Sequence, residues 1–197
     1  MNNTNNGNFL NDCWSIYFHD PYDINWDDKS YKIIGQISTV EDYARYFKGY
    51  KELFKKGMFF IMRADIIPRY EDELNINGGC LSFKISPEDF EKKFFELCAS
   101  ILGETIGTSD DVMNNINGVS ISPKKLYYIA RIWIKNNKYA NKEYYNMLEE
   151  KLKERRRGRG EEDGQEKTIV LKKYTDITLK KKRSLFDSIF HRNGKSG

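Results

Sequence analysis

Two aromatic residues stand in stretches of this sequence that are otherwise polar. Trp26 lies in HDPYDINWDDK (His19 to Lys29), and Tyr70 lies in IIPRYEDELNINGGC (Ile66 to Cys80), with Glu71 directly after it. Proline, a run of acids, two asparagines and a double glycine make the second stretch a poor helix or strand interior, so it reads as a long polar loop. A lone loop aromatic is usually half-buried packing. Two of them, one followed by a carboxylate, suit a sharper chemistry. Two rings can sandwich a flat, positively charged ligand such as a purine methylated at N7, whose delocalised charge interacts favourably with π faces. Stacking contributes about 1–3 kcal/mol per base, and cation–π attraction adds about 0.5–2 kcal/mol when desolvated. A carboxylate at the ring edge accepts two N–H bonds from a guanine's Watson–Crick edge.

Loops need elements to hold them. Alternation predicts a strand at Cys13 to His19, and Tyr31 to Ser38, Gly57 to Ala64, Gly79 to Ile85, Asn117 to Ser122, Tyr127 to Lys135 and Thr168 to Asp176 also read as strands. Thr39, with Asp42 three residues on, caps a helix reaching about Tyr50. Ser86-Pro87-Glu88-Asp89 starts a second helix whose apolar stripe is Phe90, Phe94, Leu97, Cys98 and Ile101, and Gly103 can stop it. A third helix is expected from Asn141 to Arg157, apolar at Tyr145, Leu148 and Leu152. Strand pairs alternate with single helices, and the pairs read as antiparallel meanders. The expected fold is α+β: one curved antiparallel sheet of about eight strands, three helices on its convex face and the other face open.

With 197 residues, 39% of them hydrophobic, the chain suits one domain. Residues 1–9 read as a disordered tail, 10–197 as the domain, 157–167 as a flexible connector and about 175–197 as a basic tail. Cys13, Cys80 and Cys98 are an odd, scattered set, and only His19 and His191 could join them, so neither a disulfide framework nor a zinc site is expected. No signal peptide and no membrane span are legible, so a cytoplasmic protein is expected. From Asn141 onward there are 16 Lys and Arg against 10 Asp and Glu, and the first 140 residues carry 17 against 19. A basic C-terminal third suits a polyanion. No GxSxG, Walker loop, HExxH or paired Cys–His signature appears, so an enzyme is not expected; nor is any cofactor.

From about Phe9 to Phe186 the order and spacing of several stretches resemble the mRNA cap-binding translation initiation factor 4E family. LNDCWSIYF looks like its first strand, with Trp14 as the structural Trp. TVEDY (Thr39 to Tyr43) matches the start of its first helix, IIPRYEDELNINGG its aromatic-Glu-Asp-Glu loop, and ILGE (Ile101 to Glu104) the end of its second helix. NGV…IARIWIK resembles the strand pair carrying its third functional Trp, ungapped from Gly118 to Trp133.

The resemblance implies roles. Trp26 and Tyr70 would stack on the base, Tyr70 standing where the family usually has Trp. Glu71 would bind the guanine edge, with the Tyr70 backbone N–H reaching its carbonyl oxygen. Trp133 would contact the N7 methyl, and Lys124 would grip the phosphates in place of a family Arg. Two departures stand out: Cys80 replaces a supporting Arg and Ile129 a phosphate-binding Lys. Arg131 shares parity with Ile129 and Trp133 and is the substitute expected from strand alternation. Lys125, Lys172, Lys173 and the run starting at Lys180 are further phosphate candidates.

Family members dock the initiation factor 4G scaffold through a Trp-centred patch. Here Val40 and Glu96 are kept, Ala44 stands at the Trp position, and Phe95 and Ala99 replace leucines. Weak or absent binding of the ordinary scaffold peptide follows; a dedicated partner with matched changes is the alternative. The expected function is recognition of capped mRNA in translation initiation, by a monomer. A cap-binding repressor or decoy, and a general single-strand RNA binder, are the competing readings.

Overall fold

The computed structural model describes residues 7–145 and 170–173. Among them, seven strands form a single antiparallel sheet in the order β2-β1-β3-β5-β6-β4-β7. The strands are β1 (Phe9–His19), β2 (Lys32–Thr39), β3 (Met58–Arg63), β4 (Gly79–Ile85), β5 (Ile116–Pro123), β6 (Tyr128–Ile134) and β7 (Val170–Lys173). The helices are α1 (Val40–Gly49), α2 (Lys51–Phe54), α3 (Phe90–Leu102) and α4 (Asp110–Met113). None of them is long and apolar enough to cross a membrane.

Strand alternation sorts the sheet into two faces. Trp14, Ile16, Ile37, Phe59, Ile61, Leu81, Val119, Ile121, Ala130 and Ile132 point one way and meet Phe47, Phe54, Phe90, Phe94, Leu97 and Ile101 from the helices. Helix α1 starts where the sequence places it: the Thr39 side chain accepts the Asp42 N–H at 3.0 Å, and Asp42 returns a bond to the Ser38 N–H. The stripe of α3 is buried as its spacing requires, and Gly103 closes it. Its start differs. Ser86 Oγ donates to Asp89 rather than capping the backbone, so 87–89 form a turn and the helix begins at Phe90.

The expected pairing of β3 with β4 is corrected. β5 and β6 lie between them, and β4 pairs with β6 and β7 instead. A 15-residue connection (64–78) therefore runs from one side of the hairpin β5–β6 to the other. The third helix is corrected at its start. Asn141 accepts the Glu143 N–H and opens a short 3-10 turn, Lys142–Tyr144, after which Tyr145 bridges to Gly107. Tyr145 is buried and donates its hydroxyl to the Tyr139 carbonyl, which ties this segment down. Leu148, Leu152 and the rest of the expected helix, the connector and the basic tail lie outside the described residues. Phe9 begins β1 and the Asn8 carbonyl accepts the Val40 N–H at 2.9 Å, so the ordered chain reaches into the stretch read as a tail.

Candidate functional site

Among the described residues, no helix packs on the second face of the sheet. On it Tyr17, Phe60, Met62, Cys80 and Trp133 form a smaller core with Tyr31 and Ile66. Ser15, Ser82, Ser120 and Ser122 lie among them, buried. Two loops border this face, and they carry the aromatic residues singled out above.

Trp26 sits between β1 and β2. Asp20, Asp23 and Asp27 each accept backbone N–H groups two or three residues on, which folds the segment into successive tight turns. The indole stacks on His19, ring centroids 4.0 Å apart at 14°, and meets the edge of Tyr31 at 6.3 Å. His19 is fully buried, with Nδ1 2.8 Å from the Asp20 carbonyl oxygen and Nε2 2.9 Å from that of Asn25. It thus closes the turn and backs one face of Trp26, which stays 46% exposed.

Tyr70 sits in the 64–78 connection. Its ring stacks on Trp133, centroids 5.0 Å apart at 20°. Trp133 is only 1% exposed, and its Nε1 donates to Ser120 Oγ at 2.9 Å. Burial raises the Tyr70 hydroxyl pKa, partly opposed by the nearby Arg131. Glu71 is exposed.

The two loops meet. Arg69 Nε lies 2.8 Å from Asp28 Oδ1, an ion pair whose N–H is not directed as a hydrogen bond requires. Tyr31 lies between the loops: burial pushes its hydroxyl far up, and the neighbouring Tyr70 and Glu71 push it further. Trp26 and the Tyr70–Glu71 pair are therefore brought to one border of the open face. Each ring is backed by an aromatic of the same chain, Trp26 by His19 and Tyr70 by Trp133. Trp133 itself lies beneath Tyr70 rather than lining a cleft.

Among the described residues, the cationic candidates lie in the β5–β6 turn, on β6 and on β7. Lys124 and Lys125 are exposed in the β5–β6 turn. That turn is at the sheet end where β1 delivers His19, since His19 pairs with Met58 and Phe59 with Ile121. Arg131 is half-buried, in register between Ser82 and Ser120 and two residues from Trp133. Lys172 pairs in β7 with Cys80. Lys180 lies outside the described residues. Cys80 is buried with its sulfur 3.6 Å from Ser82 Oγ. No group of three or more His, Cys, Asp or Glu among the described residues could hold a metal ion.

Sequence reasoning missed His19, Tyr31 and the asparagine pair Asn75–Asn117. His19 ends an alternating strand and so faces the same side as Ser15 and Tyr17, a parity that could have marked it. Nothing local marks Asn117.

On the helix side, the Tyr43 hydroxyl donates to the Phe95 carbonyl at 2.8 Å and Phe47 meets Phe95 edge-on at 4.8 Å. These contacts join α1 to α3 and bring Val40 and Ala44 onto the surface shared with Phe95, Glu96 and Ala99. Val40, Ala44 and Ala99 are exposed, and Phe95 and Glu96 are half-buried.

The family model for eukaryotic initiation factor 4E matches residues 9–182. The chain belongs to the initiation factor 4E family. Eukaryotic translation initiation factor 4E of Saccharomyces cerevisiae is 27% identical over 135 residues, 64% of this chain and 62% of the yeast protein. The chain thus spans less than two thirds of that relative's length. That of Candida albicans is 25% identical over 138 residues, covering 64% of each chain. Among solved structures, C. elegans eIF4E-3 in complex with the 4E-binding protein Mextli and a cap analogue superposes with a TM-score of 0.66 at 16% identity, over 88% of this chain and 96% of that one. Schistosome eIF4E complexed with m7GpppG and 4E-BP gives a TM-score of 0.60 at 22% identity, over 77% and 80%. These structures share the initiation factor 4E fold with this chain.

Proposed function

We propose that this protein binds the 7-methylguanosine cap of mRNA in translation initiation, as a binding module and not an enzyme. The observation that carries the reading is the meeting of the two loops through Arg69 and Asp28, which puts the Trp26 indole and the Tyr70–Glu71 pair at one border of the open face. The 4E fold and the cap-bound state of the schistosome and nematode relatives support it. The outer faces of Trp26 and Tyr70 stack on the methylated base, and the inner faces rest on His19 and Trp133. Glu71 takes the guanine N1–H and 2-amino group, and the Tyr70 N–H takes the 6-oxygen. Arg131 and the exposed Lys124 and Lys125 face the phosphates, with Lys172 and Lys180 as further candidates. With Trp133 beneath Tyr70, contact between Trp133 and the N7 methyl needs the phenol to slide outward.

The test is a titration of 7-methylguanosine triphosphate against GTP, followed by tryptophan emission. Quenching by the methylated nucleotide at far lower concentration is expected. Equal response to both supports a general single-strand RNA binder, and no response from either removes the cap reading.

The partner question turns on the α1–α3 surface. The 4E-binding proteins in the relatives' complexes make an initiation factor 4G-like scaffold or a dedicated partner the expected occupant. Ala44 presents a methyl group where the family has an indole, and such an anchor often dominates an interface. This observation favours a cap-binding repressor or a protein with its own scaffold. Ala44→Trp is expected to raise affinity for the ordinary scaffold peptide by at least tenfold, measured by calorimetry. Equal binding by both forms would show that Ala44 does not weaken the surface.

A further inference from the structure

The connection that carries Tyr70 and Glu71 folds as consecutive turns, with backbone bonds that include Asp72 N–H to the Arg69 carbonyl at 3.4 Å and Asn75 N–H to the Asp72 carbonyl at 2.9 Å, and side-chain bonds tie these turns to the sheet. Asn75, itself part of this connection, is fully buried. Its Nδ2 donates to the Ile67 carbonyl at 2.9 Å and to the Arg69 carbonyl at 2.7 Å. Its Oδ1 accepts from Asn117 Nδ2 at 2.9 Å, and the same nitrogen donates to the Leu74 carbonyl at 2.7 Å. Asn117 is buried at the start of β5, beside Gly118, which pairs with Trp133. The amide orientations follow from the partners: a flipped Asn75 would set its oxygen against two carbonyls and its NH2 against another NH2.

The Arg69 carbonyl and the Tyr70 N–H belong to one peptide. The described residues contain no cis peptide bond, and in a trans peptide these two groups point to opposite sides. Drawing the Arg69 carbonyl onto buried Asn75 therefore turns the Tyr70 N–H away from the interior.

We propose that Asn75, anchored by Asn117, is the positioning residue for guanine recognition. It sets the plane of the Arg69–Tyr70 peptide so that the Tyr70 N–H meets the guanine 6-oxygen while Glu71 takes the neighbouring N–H groups. This rests on the cap-binding reading. Asn75 touches no base; it acts through the backbone, and Asn117 transmits the rigidity of the sheet to the loop.

The experiment compares 7-methylguanosine triphosphate with its 6-thio analogue, since sulfur is the weaker acceptor. Loss of one neutral hydrogen bond corresponds to about two- to tenfold in affinity, so the wild type is expected to prefer the oxo ligand by that order. In Asn75→Ala the preference falls to near one, along with the affinity. A merely structural role would weaken both ligands alike and leave their ratio at the wild-type value, which overturns the proposal. Asn117→Ala removes the anchor but leaves both Asn75 bonds to the loop. It is expected to lower the ratio part-way, and it carries the test alone if Asn75→Ala does not fold; an unchanged ratio there is equally fatal. The two readings fail separately. A wild type that does not distinguish 7-methylguanosine triphosphate from GTP ends the cap reading, and the positioning role with it. A wild type that prefers the methylated nucleotide but shows no oxo-over-thio preference, or variants that keep that preference, ends the positioning role alone.

Discussion

Glu71→Ala is expected to lower affinity for 7-methylguanosine triphosphate by about ten- to a hundredfold, the equivalent of the roughly 1.5–3 kcal/mol that hydrogen bonds to a charged group contribute. The guanine N1–H and 2-amino group are both donors, and an ionised carboxylate is the one side chain that offers two acceptor oxygens and no donor. Glu71→Gln therefore fares little better, because its amide nitrogen meets a donor on the base. The loss falls on methylated and unmethylated guanine alike, since the Watson–Crick edge is common to both. Trp26→Ala has the opposite signature. It removes one stacking face, costs about 1–3 kcal/mol for the base, and narrows the gap between methylated and plain nucleotide, because the positive charge of the N7-methylated ring is what the π face favours. Calorimetric titration of both nucleotides with both variants separates the two roles. Full affinity in Glu71→Ala would assign the base edge to another residue.

Gly78→Ala is expected to unseat the whole recognition loop. A Cβ at this position would sit 1.8 Å from the Ile134 carbonyl oxygen and 2.9 Å from that of Lys135. Both are backbone atoms at the end of β6, so no side chain can rotate aside. The Gly78 N–H is also tied to the Asn75 carbonyl at 2.8 Å, so the clash passes directly to the segment that holds Tyr70. Overpacking typically costs about 1–3 kcal/mol when side chains can adjust; against fixed backbone the upper end or beyond is expected. For a chain of this length about 1 kcal/mol moves Tm by roughly 2–4 °C, so a drop of about 6 °C or more should appear in a thermal melt, with cap binding lost. Gly49→Ala is the control. Nothing lies within 4 Å of its Cβ position at the end of α1, and its melt should be unchanged or slightly raised. Equal melts for both variants would show that the loop is free to lift from β6.

Much of this architecture is written in local pattern. The seven strands were legible as stretches, the first by its alternation, and the Thr39 and Gly103 signals bounded two helices. Parity placed Arg131 beside Trp133 on the open face, because side-chain direction in a strand depends only on counting residues. Polar composition marked the two loops and the aromatics that stand out in them, and their spacing carried the family resemblance. What local pattern could not decide is pairing across long separations. The insertion of β5 and β6 between β3 and β4 follows from contacts between residues far apart in the chain, to which neighbouring residues contribute no signal. The same holds for the partners of the site. That Trp26 rests on His19, that Tyr70 covers Trp133, and that Asn75 reaches an asparagine 42 residues away are outcomes of packing. Residue types mark which groups are able to recognise a base; only the assembled sheet decides which of their faces stay exposed.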